Sequence, residues 1–293
     1  MTLDQLRIFV EVAEREHVTR TAAALNMTQS AISAAIQSLE ARHNVTLFDR
    51  VGRSIVLNQT GRAFLSEAKA VLAQAKAAEA ALTDLGGLMR GELSVMASQT
   101  VGAYWLPEKL AAYNRQWPGI SLEVLIGNTH EVADAVEAGQ VEIGIVEGAV
   151  DRPVIATTIA DTDEMIIVVG ADHPWRSQSK IKLAQAAWVV REAGSGTRVA
   201  LETLLSREKL RLAEIDVAVV LPGNEAVLGA VSAGMGATLT SRRAASSGLK
   251  AGLLFQVPFA VPSRPFYLLR HKERYRSRAA AAFESDILQA CSH

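Results

Sequence analysis

Residues 19–42 read TRTAAALNMTQSAISAAIQSLEAR, and this stretch decides the fold of the N-terminal part of the chain. Thr19 is placed to cap a short helix through Leu25, in which Ala22, Ala23 and Leu25 supply packing side chains. Asn26-Met27 interrupts that helix, and Thr28 is placed to cap a second one from Gln29 to about Arg42. Ile32, Ile36 and Leu39 recur at the three-to-four spacing of one buried face, while the opposite face carries Gln29, Ser30, Ser33 and Gln37. Short polar side chains near the N-terminal end of the second helix are what major-groove reading requires. That end enters the groove while the first helix crosses the backbone.

Upstream, Leu3, Leu6, Phe9, Val10 and Ala13 fall at helical spacing and predict a helix packed under the pair. Downstream, Thr46 to Phe48 and Ser54 to Leu57 flank Asp49 to Arg53, which predicts a hairpin whose Arg50 and Arg53 reach phosphate or a minor groove. Spacing alone leaves open a helical hairpin that merely packs. Charge does not decide between the two, because residues 1–62 hold seven arginines against six acidic residues, without a strongly basic stripe.

Leu3-Asp-Gln-Leu-Arg-Ile-Phe9, Thr21-Ala-Ala-Ala-Leu-Asn-Met-Thr-Gln-Ser-Ala-Ile-Ser33, Leu39-Glu40, Leu47-Phe-Asp-Arg50 and Leu57-Asn-Gln-Thr-Gly61 together resemble the winged helix-turn-helix of LysR-type transcriptional regulators. The resemblance continues less densely to Arg191-Glu-Ala-Gly-Ser-Gly-Thr-Arg198 and Ala233-Gly-Met-Gly236. It implies DNA contact through Thr28, Gln29, Ser30, Ser33, Gln37, Arg50 and Arg53 on an inverted-repeat operator in double-stranded DNA. Two positions depart from the pattern. Ser33-Ala34 stands where the family usually has Ser-Arg, and His43-Asn44 replaces the usual Leu-Gly. The family pattern's arginine contact to phosphate or base is therefore not expected to carry over at Ala34.

The remainder is read outward from there. Residues 62–85 contain no Pro or Gly, and Phe64, Ala68, Val71, Ala75, Ala78, Leu82 and Leu85 alternate at spacings of four and three, a heptad seam. A dimerising coiled coil or a single amphipathic helix on its own domain fits this pattern; the resemblance implies the dimerising linker helix. Gly86, Gly87 and Gly91 mark a hinge. From Glu92 apolar runs alternate with helical patterns, predicting parallel sheets covered on both faces, in two α/β halves that enclose a cleft.

The fold class expected is therefore α/β, with an N-terminal winged helix-turn-helix (1–61), a linker helix and hinge (62–90) and an effector domain (91–293). By resemblance that domain is periplasmic-binding-protein-like, with subdomain I at 91–160 and 262–293 and subdomain II at 161–261.

Ligands of open α/β sheets bind beyond the carboxyl ends of the strands, where loops lead into helix N-termini. Those loops hold Ser98, Thr100, Asn128, Glu147, Ser195, Thr197 and Asn224, the residues expected to line an effector site. The glycines around Ser195 let backbone N–H groups converge, which favours an anion, although a capped turn needs the same glycines for its own geometry. An acidic Glu147 facing an anion is unfavourable, so it is expected to bind an ammonium group or to pair with Arg191 or Arg198.

With 293 residues, 49% of them hydrophobic and 21% charged, the chain has the composition of a soluble globular protein. The N-terminus lacks a signal-peptide pattern and no stretch approaches 18 consecutive apolar residues, which leads us to expect a cytoplasmic protein with no membrane partner. Cys291 is the sole cysteine and the histidines lack ligand spacing, so no metal site, cofactor or catalytic residue is expected. The expected partners are operator DNA, a small, anionic effector, further copies in a homodimer or homotetramer, and RNA polymerase where the protein activates. A ligand-independent DNA-binding repressor or organiser is the alternative. A solute-binding protein or enzyme on the same fold fits less well, for want of an export signal and of paired catalytic groups.

Overall fold

The computed structural model describes residues 1–51, 54–85, 90–178 and 180–290. Arg53 and the hinge residues Gly86 and Gly87 lie outside them, as do Cys291 and His293. The chain divides into two compact units, the first essentially Met1–Leu82 and the second most of the remainder.

The first unit contains α1 (Leu3–Arg15), α2 (Val18–Ala24), α3 (Gln29–His43), the hairpin β1 (Phe48–Val51) and β2 (Ser54–Leu57), and most of α4 (Gln59–Leu85). Thr28 caps α3 as expected, its hydroxyl accepting from the Ala31 N–H at 3.2 Å. Thr19 is not the cap of α2. The cap lies two residues earlier, at His17, whose Nδ1 accepts from the Arg20 N–H at 3.4 Å. Phe9 is fully buried between the rings of Phe48 and Phe64, at centroid distances of 5.6 and 4.9 Å, so the first helix, the wing and α4 share one apolar centre.

Two carboxylates, Glu40 half-buried and Glu16 exposed, tie the wing to this centre. Glu40 accepts from the Leu47 N–H at 2.7 Å and Glu16 from the Leu57 N–H at 3.0 Å. Asp49 and Arg50 belong to β1 rather than to the turn, because Phe48 pairs with Leu57 and Val51 with Ser54. Asn58 accepts from the Gly61 N–H at 2.8 Å and so starts α4 earlier than Arg62, where the unbroken helical stretch begins in the sequence. The heptad seam divides: Phe64 and Ala68 join the unit's own core, whereas Val71, Leu82 and Leu85 are exposed.

The second unit continues with β3 (Gly91–Ser98), α5 (Gln99–Tyr104), α6 (Leu106–Gln116), β4 (Ile120–Gly127), α7 (Thr129–Ala138), β5 (Ile143–Val146), β6 (Ile155–Asp163), β7 (Met165–Val169), β8 (Ala187–Arg191), α8 (Gly196–Arg207), β9 (Asp216–Leu221), α9 (Asn224–Ser232), β10 (Ala237–Ser241), α10 (Arg242–Lys250), β11 (Phe255–Gln256), β12 (Arg264–His271) and α11 (Arg278–Ala290). They build two five-stranded sheets, ordered β4-β3-β5-β12-β6 and β11-β7-β10-β8-β9. Each sheet is mixed rather than purely parallel. In the first, β12 runs antiparallel to both neighbours, and in the second β7 runs antiparallel to β10 and β11. Both sheets are covered on two faces. The first is packed by α5, α6 and α11 on one side and α7 on the other, the second by α8 and by α9 with α10.

The chain passes from the first sheet to the second between Asp163 and Met165 and returns ahead of Arg264. At this double crossing the Arg264 guanidinium donates to Asp163 through Nε and Nη2, at 3.0 and 2.9 Å, and Ser241 donates to the same carboxylate at 2.6 Å. Asp163 is fully buried and Arg264 is 7% exposed. Neither charge could sit there without the other.

Gly61→Ala is expected to cost about 1–3 kcal/mol despite the better helix propensity of alanine, because the new Cβ meets the Leu47 carbonyl and the Leu57 side chain. A lower urea midpoint for the first unit at unchanged slope is the readout, and an unchanged or higher midpoint would refute the close approach. Arg264→Met should cost about 3–5 kcal/mol in the second unit, since it strands the Asp163 charge. Thermal unfolding should show that adding Asp163→Leu recovers most of the loss; no recovery would mean that the pair is not coupled.

Candidate functional site

Two arrangements of polar side chains remain once the folding role of each residue is assigned. The first is the solvent face of α3. Gln29, Ser30 and Gln37 are exposed and Ser33 is half-buried, one and two turns apart along a single stripe, with Ile32 and Leu39 buried behind them. Thr28 is occupied locally, sharing a 3.0 Å hydrogen bond with Ser30 Oγ besides capping the helix. Ala34 is exposed on the same face, and Arg50 projects from β1 into solvent. Sequence pattern located this stripe because its buried side and its polar side alternate with the helical period.

The second arrangement lies where the two sheets of the second unit face each other. The strands β3, β4, β8 and β9 each end at the start of a helix, and those ends carry the predicted residues other than Glu147, which follows β5. Thr100 Oγ1 accepts from Asn224 Nδ2 at 3.1 Å, and Asn224 Oδ1 accepts from Arg191 Nη1 at 2.6 Å. One hydrogen-bonded chain thus spans the cleft from α5 to β8. Tyr104 adds a second bridge, donating to Glu225 at 2.8 Å. Thr197 accepts from Arg264 Nη1 at 3.2 Å.

Two of the predicted residues are occupied as helix caps. Ser195 Oγ accepts from the Thr197 N–H at 3.2 Å, and Asn128 exchanges hydrogen bonds with Glu131, at 2.8 and 3.0 Å, at the start of α7. Asn128 still faces the cleft, since a Cβ on Gly194 (φ +87°) would lie 3.3 Å from its Oδ1.

Ser98 is 1% exposed and caps nothing, and its Oγ has no partner. Thr129 Oγ1 and Glu147 Oε2 are likewise buried without a partner. Thr129 was not singled out from the sequence, because it stands beside Asn128 in the same loop and nothing in the pattern separates them. Arg264 and Asp163 were missed for a similar reason: one follows an irregular stretch and the other ends a polar strand, so no periodicity marks them.

Glu147 is 4% exposed. Burial pushes its carboxyl above the ordinary range, opposed first by the Arg264 guanidinium, 4.0 Å away, then by backbone, by the Thr100 hydroxyl and by Arg191. Its nearest cation is therefore Arg264, and of the two arginines considered from the sequence Arg191 acts on it more weakly. Arg198 binds Glu202 at 2.8 Å and the Arg191 carbonyl at 3.0 Å. Arg191 in turn holds Glu192 through two bonds, at 2.7 and 2.8 Å, and although burial raises the Glu192 carboxyl, this pairing leaves it below its ordinary value. Glu147, Gly196 and Arg264 also border a cavity of about 230 Å³, whose apolar wall includes Met165, Val199 and Leu239.

Among the described residues no group of three or more His, Cys, Asp or Glu side chains could hold a metal ion, and no helix is long and apolar enough to cross a membrane.

Comparison with known proteins matches the two parts of the chain to one family. Residues 3–62 match the bacterial regulatory helix-turn-helix protein family of the lysR type, and residues 86–292 match the LysR substrate binding domain. An uncharacterized HTH-type transcriptional regulator, YeiE of Escherichia coli (strain K12), is 34% identical over 97% of this chain and 96% of its own length. A probable RuBisCO transcriptional regulator of Trichormus variabilis is 31% identical, over 98% of this chain and 88% of that protein. The fold is shared with full-length CbnR in a crystal structure with its target DNA, at a TM-score of 0.71 and 22% identity, covering 99% of this chain and 100% of that one. The chain belongs to the LysR family of helix-turn-helix transcriptional regulators and is not an enzyme.

Proposed function

We propose that the protein is a cytoplasmic regulator that binds an inverted-repeat operator as a homodimer or homotetramer and changes its arrangement when a small anion enters the cleft of the second unit. The observation that carries the effector reading is the set of three buried polar atoms without partners, Ser98 Oγ, Thr129 Oγ1 and Glu147 Oε2, around one cleft. Buried polar groups in native proteins are nearly always paired, so a cluster of unpaired ones facing a cleft points to a ligand. The N-termini of α7, α8 and α9 open on the same space and favour negative charge. Ser98, Thr100, Asn128, Ser195, Thr197 and Asn224 form the polar wall, with Glu147 as the acidic member.

The division proposed is 1–61 for DNA, 62–90 for the linker helix and hinge, and 91–293 for the effector. Within the last, 91–160 with 262–293 forms one lobe, which β6 carries on to Asp163, and 161–261 forms the other. An effector shifts the protein between arrangements only by binding one of them more tightly. A cleft bridged by Thr100–Asn224 and Tyr104–Glu225 supplies such a difference, because an entering ligand must replace or reinforce those bonds. The shift alters the spacing of paired α3 helices and hence the bending of promoter DNA, and RNA polymerase is the further partner where the outcome is activation. Exposed Val71, Leu82 and Leu85 on α4 and Val124, Leu125 and Ile126 on β4 support self-association.

In vitro selection of genomic fragments should enrich an interrupted palindrome with half-sites about one helical turn apart, or a multiple of it. Salt-sensitive binding with no preferred site would instead favour the ligand-independent organiser. Gln29→Ala should relax preference at one operator position by about 1–3 kcal/mol, whereas Arg50→Ala should weaken all sequences alike and reduce the salt slope by about 1. An unchanged operator preference in Gln29→Ala would remove that residue from the reading face.

A further inference from the structure

The charges around the cleft are unequal in a way that bears on what can bind there. Arg264 is committed to Asp163 and Thr197, and Arg191 to Glu192 and Asn224. Each cation is thus matched by a carboxylate, and Glu147 is a further, buried acid whose nearest cation is shared with Asp163. It lies 4.0 Å from a guanidinium that already serves Asp163, and its Oε2 meets no donor. Gly196 leaves it no room to withdraw towards α8, since even a Cβ there would lie 2.8 Å from Glu147 Cγ.

An anion brought beside this group would place two negative charges in one desolvated space. Repulsion of that kind is relieved when the weaker acid takes a proton.

We propose that Glu147 makes anion binding in this cleft proton-linked: the anion enters as the carboxylate takes up one proton from solvent, and the neutral acid then donates a hydrogen bond to the anion. This rests on the anionic-effector reading and adds to it a selection rule. The residue accepts an oxyanion or carboxylate that can receive a hydrogen bond, and the unpaired Oε2 becomes the donor oxygen. The proton ends on Glu147 and no bond of the anion is made or broken; a monoanion leaves the cleft's charge as it was, and a dianion adds one negative charge rather than two.

The charged groups facing Glu147 are few. They are Arg264 at the start of β12 with its Asp163 partner from β6, Arg191 from β8, and Arg207 on α8 across the bordering cavity. From α5 and α7 the neighbours are the neutral Thr100 and Thr129. The linkage is assigned to Glu147, the acid of this set with a buried oxygen that meets no donor. Burial already raises the Glu147 carboxyl, in the direction that favours proton uptake when an anion arrives.

The experiment is isothermal titration of the full-length protein with sulfate, which remains a dianion throughout, between pH 8.5 and pH 6.5 in buffers of different ionisation enthalpy. Sulfate affinity should rise up to tenfold for each unit of falling pH, with close to one proton taken up per ion bound at the alkaline end. Glu147→Gln should bind sulfate with no pH dependence or proton uptake, and at least tenfold more tightly than the natural protein at pH 8.5. Thermal unfolding without sulfate provides the folding control. The glutamine variant should melt no lower than the natural protein at pH 8.5, because it removes a buried charge. Thr129→Val should weaken sulfate binding in both backgrounds; an unchanged affinity would place the ion outside the cleft and overturn the proposal. Flat pH dependence in both the natural protein and Glu147→Gln would overturn the role of Glu147 and leave the anionic effector standing. Absence of sulfate binding in both proteins at every pH, with folding intact, would remove the anionic reading and this inference with it.

Discussion

The second unit depends on the buried pair between Asp163 and Arg264. The chain crosses from one sheet to the other at Asp163 and returns through Arg264, so a single guanidinium fixes both crossing strands. The same group reaches Thr197 in the first turn of α8 and approaches Glu147 at the end of β5. Four segments remote in sequence are therefore oriented by one planar side chain. Burying such a pair adds little net stability, because desolvation offsets most of the attraction; what it supplies is geometry, since breaking it leaves a charge with nowhere to go. Its commitment also decides the character of the cleft. A guanidinium held by Asp163 has little left for Glu147.

A distinction between committed and uncommitted polar groups organises both sites. In the first unit Thr28, Glu16, Glu40 and Asn58 all have hydrogen-bonding duties in helix capping or wing attachment. Gln29, Ser33 and Gln37 point to solvent from a helix already packed on its other face. In the second unit Asn128 and Ser195 cap helices, whereas Ser98 and Thr129 hold buried hydroxyls without partners. Capping residues and ligand-binding residues are drawn from the same short list of types, so residue identity at a helix start cannot tell them apart. The hydrogen-bond count of each atom can.

That limit explains what the sequence disclosed. Helical periodicity displayed α1 and α3, and apolar runs displayed β3, β5, β7 and β10, because each element buries a face whose spacing follows its own geometry. The elements it did not display are those that bury little in a regular pattern. β6 reads IATTIADTD, and α10, RRAASSGLK, is short and polar with two buried alanines. The mixed direction of the sheets was hidden as well, since a strand's composition does not record which neighbour it pairs with. The ends of β3, β4, β8 and β9 could be named as the cleft from topology alone. The selection of Thr129 over Asn128, and of Arg264 as the nearest cation to Glu147, required side-chain distances that no spacing encodes.

Ala34 connects the composition of the first unit to its mode of action. It is exposed on the stripe that carries Gln29, Ser33 and Gln37, so its methyl group occupies a position from which a long cationic side chain would reach backbone phosphate. With seven arginines against six acidic residues, positions 1–62 offer little net positive charge to a phosphate backbone. A weak single reader gains most from being linked to a second, because the second contact forms at a high local concentration set by the connection between them. The exposed apolar positions along the later turns of α4 suit that connection, since the helix that begins within the wing's core continues beyond it with Leu82 and Leu85 uncovered. On the function proposed above, poor charge in the reading unit and an apolar face on its linker helix are two sides of one constraint: where recognition is shared between copies, a ligand that alters their spacing alters recognition itself.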